Sequence, residues 1–261
     1  MDIHTYTHIL EKFEPYREHI QYLTLHGCGE PLLDKRIAEK VKIAKEMGFK
    51  GTGLSTNCTE LNEHRSQELI EAGLDTIICS IDGINKHTHE ALRVGTNFDK
   101  IVSNVKNFIK IRNELGKTRV MVRFILQENN KEEWPLFFSY WSKQLNKDFS
   151  DDVVKFNVHN WGDKLDDYQS MDLNISLKLG NYVCQDVFER ILIYSNGEAG
   201  LCCADDNGFF MLGNVTDSDP IGIYNNEIFN YYRKMMLEGR IHELEHCKTC
   251  TMPRSRALKE Y

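Results

Sequence analysis

The cysteines are the residues whose type and spacing most clearly indicate chemistry. The chain has 8 of them, and those in its last third lie close together: Cys184, Cys202, Cys203, Cys247 and Cys250. The opening residues show neither the basic start nor the apolar stretch of a secretory signal, so we expect a reducing compartment rather than disulfide bonds. Clustered cysteines in such a protein indicate metal binding or redox chemistry. We therefore predict an inorganic centre in the C-terminal third.

The identity of that centre is open at the level of cysteine spacing. Four thiolates fit either a tetrahedral zinc ion or an iron–sulfur cluster. His242 and His246, close to Cys247, favour zinc, although an exposed polar segment explains both histidines equally well. Cys202 and Cys203 are neighbours in a predicted strand, where successive side chains point to opposite faces. We therefore expect only one of these two to join the centre.

A second set of candidate residues stands where predicted strands end. These polar residues are Glu30, then Thr56 and Asn57, then Ser80 and Asp82, then His159 and Asn160. In parallel β/α folds the carboxyl ends of the strands meet on one face, and ligands bind there. Ordinary polar loops explain any one of these residues, but four such strand ends in register favour a shared ligand site.

The elements that must position these residues alternate over the first 160 positions. Hydrophobic periodicity predicts strands at 22–25, 53–56, 76–81, 119–126 and 153–158, and helices at 4–20, 34–47 and 98–115. Gly48, Gly73 and Gly116 stand where helices end. This alternation predicts β/α units that form a parallel sheet or barrel.

The remainder of the chain has a different character. Residues 161–183 lack periodicity and are predicted to be a linker. Arg190–Ser195 and Ala199–Cys203 are separated by Asn196-Gly197-Glu198 and predict a β-hairpin. A further helix is predicted over 226–237.

Composition limits the class of protein. Because 41% of the 261 residues are hydrophobic, the chain can bury one substantial core with a small second domain, or two modest domains. The net charge of -7 disfavours a polyanionic partner such as duplex nucleic acid. No apolar run approaches the roughly 20 residues that a bilayer-spanning helix needs. We therefore predict a cytoplasmic globular protein with neither a nucleic-acid nor a membrane partner.

Several motifs together resemble those of radical S-adenosylmethionine (SAM) enzymes. In chain order they are Gly27-Cys28-Gly29-Glu30-Pro31, which resembles the GEP motif, Ser55-Thr56-Asn57, Cys79-Ser80-Ile81-Asp82-Gly83, and Arg93 with Gly95 two residues later. The C-terminal part resembles the SPASM/twitch extension of the same superfamily, in which Cys184, Gly197 and Cys202 precede the distant pair Cys247 and Cys250. The resemblance covers essentially the whole chain.

The resemblance implies an α/β fold. It implies a partial (β/α)6 radical SAM barrel over 1–160 that lacks its first strand, a linker over 161–183, and a small α+β SPASM/twitch domain over 184–261. It also implies one auxiliary [4Fe-4S] cluster, with Cys184, Cys202, Cys247 and Cys250 as ligands. The distance from Gly197 selects Cys202 over Cys203.

The same resemblance implies a SAM site at the strand ends. Its residues are Gly29, Glu30, Thr56, Asn57, Ser80 and Arg93. Glu30 would accept hydrogen bonds from the ammonium group of SAM, while Ser80 and Arg93 would hold its carboxylate. Thr56 and Asn57 would line the ribose or methionine side. Asp82 is assigned only to capping the following turn.

The chain departs from the family at one motif, because no CxxxCxxC occurs in its sequence. In the family, that motif holds the SAM-binding [4Fe-4S] cluster. Cys28, Cys58 and Cys79 do not replace it, and we expect them to be small buried hydrophobic residues. Two explanations fit: the first strand and its motif lie upstream of Met1, or the protein has lost reductive SAM cleavage.

We favour the first explanation, since the downstream SAM-site residues are present. The SAM-binding cluster is then expected only if the upstream segment exists. From these 261 residues alone we expect no SAM cleavage.

The activity that the resemblance implies is that of a radical SAM oxidoreductase or modifying enzyme. A 5′-deoxyadenosyl radical would abstract hydrogen from the substrate, and the auxiliary cluster would oxidise or position that substrate. The substrate would be a small, carbohydrate-like molecule, as in the similar twitch-bearing dehydrogenases of aminoglycoside biosynthesis, or a peptide, as among SPASM maturases. Reduction requires an electron donor such as flavodoxin or ferredoxin. The alternative is a non-catalytic binding module stabilised by zinc or by a cluster, and the sequence assigns no catalytic residue.

Overall fold

The computed structural model of the chain describes residues 1–161, 183–248 and 250–251. Through its contacts the chain divides into two compact units: Glu14–Phe156, and Met1–Phe13 together with Asn157–Tyr261. The first helix, α1 (Ile3–Phe13), is thus grouped with the C-terminal residues, whereas the sequence analysis assigned it to the core domain. The domain boundaries stay predictions, and all but the two ends of the predicted linker lie outside the described residues.

The unit Glu14–Phe156 is built on a five-stranded sheet with strand order β1-β2-β3-β4-β5. The strands are β1 (Leu23–Thr24), β2 (Thr52–Thr56), β3 (Thr76–Ser80), β4 (Arg119–Leu126) and β5 (Asp152–Asn157). The first four pair in parallel, and β5 lies beside β4. The connecting helices are α2 (Ile37–Glu46), α3 (Glu63–Glu71), α4 (Lys86–Leu92), α5 (Phe98–Leu115) and α6 (Trp134–Ser142). Helices therefore separate successive strands, as the predicted β/α units require.

Local sequence signals explain where these helices begin and end. The Asn97 side chain accepts a hydrogen bond from the backbone N–H of Lys100 and so caps α5, while Gly116, at φ +68°, ends it. Helix α5 and strand β4 have the predicted bounds. The predicted helix over 4–20 is wrong in its second half, because α1 ends at Phe13 and Glu14–His19 forms a 3-10 helix. Pro15 explains the break, since proline lacks an N–H and disfavours the α conformation of the residue before it.

The central strands present two different faces. Leu54, Ile77 and Val122 belong to one buried apolar cluster that also contains residues of the connecting helices. Because side chains alternate along a strand, the residues one position further on point to the opposite face. On that face Ser80 of β3 lies directly beside Arg123 of β4 in the parallel register. The sheet thus places polar side chains together on the face that the apolar cluster does not cover.

The other unit contains a short antiparallel hairpin, β6 (Leu192–Ile193) and β7 (Ala199–Gly200), which is paired as predicted. The strands are shorter than predicted, because the chain leaves β7 at Gly200 and turns. Gly197 in the connecting turn has φ +85°, and a Cβ there would lie 2.6 Å from the Asn214 side chain, so the turn requires glycine.

Helices complete this unit: α7 (Asp186–Glu189), α8 (Pro220–Tyr224) and α9 (Glu227–Leu237), the last over the predicted range 226–237. From α1, the Nε2 atom of His8 lies 3.0 Å from the backbone oxygen of Thr216, which fits the grouping of α1 with this unit. Within the described ranges, no helix is both long and apolar enough to cross a membrane.

Candidate SAM-binding site and candidate metal centre

Glu30 is the centre of a hydrogen-bond network at the ends of β1 and β2. Its Oε1 accepts hydrogen bonds from the backbone N–H of Leu32 at 3.0 Å and from the Thr56 hydroxyl at 2.6 Å, and its Oε2 accepts one from the backbone N–H of Asn57 at 2.7 Å. The preceding Gly29 has φ +106°, a conformation that favours glycine. The structure thus brings together four of the predicted residues. The three donors fix the carboxylate and leave part of its acceptor capacity on Oε2 for a ligand.

Arg93 is held by a buried carboxylate. Its Nε and Nη2 atoms donate to Oδ2 of Asp82 at 2.8 and 2.7 Å. The other oxygen of Asp82 accepts a hydrogen bond from the backbone N–H of Ile125 at 2.7 Å. The sequence analysis assigned Asp82 only to capping a turn. In the structure it also binds Arg93 and the backbone of β4. Its position directly after β3 and the arginine downstream were the signals available in the sequence.

Arg123 is a residue of this face that the sequence analysis missed. Its Nη2 atom donates to the hydroxyls of Ser80 at 2.7 Å and Ser55 at 2.9 Å. Its Nε atom is buried and has no hydrogen-bond partner in the described part of the chain. Burial and the nearby charge of Arg93 lower the pKa of Arg123. The available signal was an arginine at an alternating position among the apolar residues of β4, which indicates a charge pointing away from the core.

Two buried cysteines, Cys58 and Cys79, lie at the same strand ends. Burial and the hydrogen bond with Cys79 raise the pKa of Cys58 well above its usual value, so Cys58 is a neutral thiol. Cys58 and Cys79 are buried, as expected of small hydrophobic residues, whereas Cys28 is exposed, contrary to expectation. The predicted SAM-site residues therefore surround one strand-end region of the first unit.

In the C-terminal unit, the four predicted metal ligands line one cavity of about 180 Å³. Cys184, Cys202, Cys247 and Cys250 share its wall with Asp186, His246 and apolar side chains. Burial, with the neighbouring thiols of Cys250 and Cys184, raises the pKa of the Cys247 thiol to about 12. Burial also raises the pKa of Cys202, and the charges of Cys203, Cys247 and Cys184 add to this rise. The Cys202 and Cys247 thiols thus lie in a buried environment that raises the pKa of both.

Three other residues were alternative ligands, and the structure shows where each of them lies relative to the cavity. Cys203 is not among the residues that line the cavity, and its Sγ lies 3.5 Å from Oδ2 of Asp186. Because β7 ends at Gly200, Cys202 and Cys203 lie in a turn and not on the predicted strand. His246 lines the cavity with a buried Nε2 that has no hydrogen-bond partner among the described residues, whereas His242 is exposed beside Glu243.

A preformed site for a single ion is not seen in the described ranges, where no group of three or more His, Cys, Asp or Glu side chains is arranged to hold a metal ion. At the strand ends, Cys28, Cys58 and Cys79 do not provide a CxxxCxxC loop either.

Comparison with protein families decides the assignment. The model of the Radical SAM superfamily matches residues 2–136, more than half of the chain. The chain belongs to the radical SAM superfamily. A second model, SPASM, described as an iron-sulfur cluster-binding domain, matches residues 184–251. The predicted radical SAM and SPASM/twitch assignment is thus confirmed. Domains of these two kinds imply iron–sulfur clusters and SAM as cofactors and indicate an enzyme.

One relative is the tungsten-containing aldehyde ferredoxin oxidoreductase cofactor-modifying protein of Pyrococcus furiosus. It is 30% identical over 146 residues, which are 54% of this chain and 39% of that protein. The chain thus matches about two fifths of the length of this curated relative.

Two solved radical SAM structures share the fold. The match to BtrN in complex with AdoMet and 2-DOIA covers 96% of this chain and 80% of BtrN, with a TM-score of 0.63 and 21% identity. The match to Streptococcus suis SuiB bound to precursor peptide SuiA covers 85% of this chain and 59% of SuiB, with a TM-score of 0.64 and 14% identity. This likeness confirms the predicted α/β fold, a partial radical SAM barrel followed by a small C-terminal domain.

Proposed function

We propose that this chain binds SAM at the strand ends of its sheet and an auxiliary [4Fe-4S] cluster in its C-terminal cavity. In this proposal it serves a radical SAM oxidoreductase or modifying enzyme. The observation that carries the proposal is the hydrogen-bond network in which Glu30 joins the ends of β1 and β2. The network holds a carboxylate in a fixed direction before any ligand arrives, which is what recognition of an ammonium group requires.

The groups around Glu30 suit the remaining parts of SAM. Thr56 and Asn57 stand beside the carboxylate and would line the ribose or methionine side. Ser80 and Arg93 would hold the carboxylate of SAM. Arg93 keeps Nη1 for that purpose, because Asp82 occupies its Nε and Nη2 atoms. When bound with a reducing cluster, SAM supplies a 5′-deoxyadenosyl radical, while this chain's residues bind and orient it.

The C-terminal cavity fits a cluster better than a zinc ion. A tetrahedral zinc site with Zn–S distances of ~2.3 Å holds its sulfurs only about 3.8 Å apart. The described residues contain no such tight group, although all four thiols line the same cavity. Its volume of about 180 Å³ exceeds the 10–15 Å³ that roughly one water needs and leaves room for a core of several atoms. Cys184, Cys202, Cys247 and Cys250 would be its ligands.

Two substrate classes follow from this proposal. The BtrN structure contains the small molecule 2-DOIA, and the SuiB structure contains a precursor peptide. We accordingly propose a small, carbohydrate-like molecule or a peptide as substrate, with flavodoxin or ferredoxin as electron donor. A second candidate, which the same cysteine-lined cavity supports, is a non-catalytic binding module stabilised by zinc or by a cluster.

Calorimetric titration of SAM into the purified chain tests the proposed site. The wild-type chain is expected to bind SAM, and Glu30→Gln is expected to weaken binding by about 10-fold or more, because a charged acceptor for the ammonium group becomes neutral. Glu114→Gln is the matched control, since Glu114 is exposed on α5 and should leave the affinity unchanged. Absence of SAM binding by the wild-type chain, or equal binding by Glu30→Gln while circular dichroism shows an intact fold, would contradict the proposal.

A further inference from the structure

Arg123 carries a charge that its surroundings do not balance directly. Its Nη2 atom donates to two serine hydroxyls, and within the described part of the chain no carboxylate forms an ion pair with it. The charge of the Asp82 carboxylate acts on Arg123, but Asp82 already forms an ion pair with Arg93. A largely buried cation without its own counter-ion is costly, so such a group usually serves a ligand.

The donors that Arg123 does not use point to a flat, anionic ligand group. Its Nε is buried and without a partner, and its Nη1 donates to none of the described residues. The Nη2 atom is fixed by Ser80 and Ser55, which sets the plane of the guanidinium. A guanidinium of fixed plane with free donors is suited to binding a carboxylate through a fork of hydrogen bonds.

We infer that Arg123 binds the carboxylate of SAM beside Ser80, and that it contributes more to holding this carboxylate than Arg93 does. The inference rests on the proposed SAM site and assigns one group of that ligand to one further residue. Arg93 lies next to the same region, but the Asp82 carboxylate already balances its charge. Because Ser80 and Arg123 are register partners on β3 and β4, the backbone itself holds the two groups side by side.

The inference is tested by removing the carboxylate from the ligand and, separately, each arginine from the protein, and by comparing the effects on affinity. The affinities of SAM and of decarboxylated SAM are measured by calorimetry for the wild-type chain, Arg123→Met and Arg93→Met. For the wild-type chain, loss of the ligand carboxylate should weaken binding by about 10- to 100-fold. For Arg123→Met the two ligands should bind almost equally, whereas Arg93→Met should retain most of the preference for SAM. Arg119→Met, on the same strand but bound to the Ser150 carbonyl, is the matched control and should keep the full preference.

The outcomes separate this inference from the proposed function. If the wild-type chain binds neither ligand, the proposed SAM site fails. If it binds SAM while Arg123→Met keeps the wild-type preference, or Arg93→Met loses more of it, the inference alone is overturned. Should Arg123→Met fail to fold, Arg123→Lys gives the same test, because it keeps the charge and loses the fork, so its preference should lie between those of wild type and a neutral variant.

Discussion

At the scale of single residues, Asp82 determines what Arg93 can do. Nε and Nη2 of Arg93 both donate to the same oxygen of Asp82, Oδ2. The other oxygen, Oδ1, accepts a hydrogen bond from the backbone of β4. The arginine is thus tied to the sheet and not free in a surface loop. The sequence motif identifies Arg93, but only the structure shows that the Asp82 carboxylate balances its charge.

A double-mutant cycle measures this pair. Asp82→Asn and Arg93→Met are each expected to lower the free energy of unfolding, and their effects should be non-additive by about 1–3 kcal/mol, because each single change already removes a charged hydrogen bond. Urea denaturation followed by circular dichroism gives the four values. The cycle of Glu114→Gln with Arg93→Met is the control and should be additive. Additivity of Asp82→Asn with Arg93→Met would show that the pair does not contribute to the folded state.

At the scale of elements, a buried ion pair ties α5 to the residue that precedes β5. The Arg112 and Asp151 side chains are fully buried and joined by two hydrogen bonds. Asp151 also accepts hydrogen bonds from the backbone N–H of Val120 in β4 at 2.8 Å and of Asn146 at 2.9 Å. One carboxylate therefore fixes the helix, β4 and the loop that leads to β5.

Asp151→Asn should destabilise this arrangement severely. It leaves the Arg112 charge buried without a counter-ion, which costs about 3–5 kcal/mol in the free energy of unfolding. Urea denaturation of the variant against the wild-type chain is the measurement, with exposed Glu114→Gln expected within about 0.5 kcal/mol of wild type. A loss below about 1 kcal/mol would mean that the pair is solvated and does not fix these elements.

At the scale of the whole molecule, the two candidate sites belong to different compact units. The strand-end residues lie in Glu14–Phe156, and the four cysteines lie in the unit that contains the C-terminal residues. Each unit has its own buried apolar side chains, for example Phe108 in the first and Phe229 in the second. We therefore expect loss of the proposed metal centre to destabilise mainly the unit that contains the four cysteines.

Replacing Cys247 and Cys250 together by alanine tests both the centre and this independence. After anaerobic reconstitution the wild-type chain should hold about four iron and four sulfide per chain, and the double variant should hold much less because two ligands are gone. Amide hydrogen exchange should rise in 183–248 and stay unchanged in the sheet unit, and SAM affinity should persist. Cys203→Ala is the control and should keep its iron. Full iron retention by the double variant would show that other residues are the ligands, and zinc without sulfide in the wild-type chain would favour the binding module.

The sequence by itself determined the elements and the types of chemistry. The bounds of α5 and β4 and the order of the β/α units follow from short-range patterns, and the resemblance to family motifs selected the four cysteines that line one cavity. Periodicity, capping residues and motif spacing act over a few positions, so they can be recognised without knowledge of distant contacts. The same holds for Glu30, whose neighbours Gly29 and Pro31 shape its turn.

Only the tertiary structure decided which groups meet. Arg123 contacts Ser80 and Ser55 across 43 and 68 positions, and Asp82 forms an ion pair with Arg93. Three further features could not be predicted from the sequence: the exposure of Cys28, the end of β7 before Cys202 and Cys203, and the grouping of α1 with the C-terminal unit. Strand register and the path of loops set these contacts, and both depend on packing between segments that are far apart in the chain.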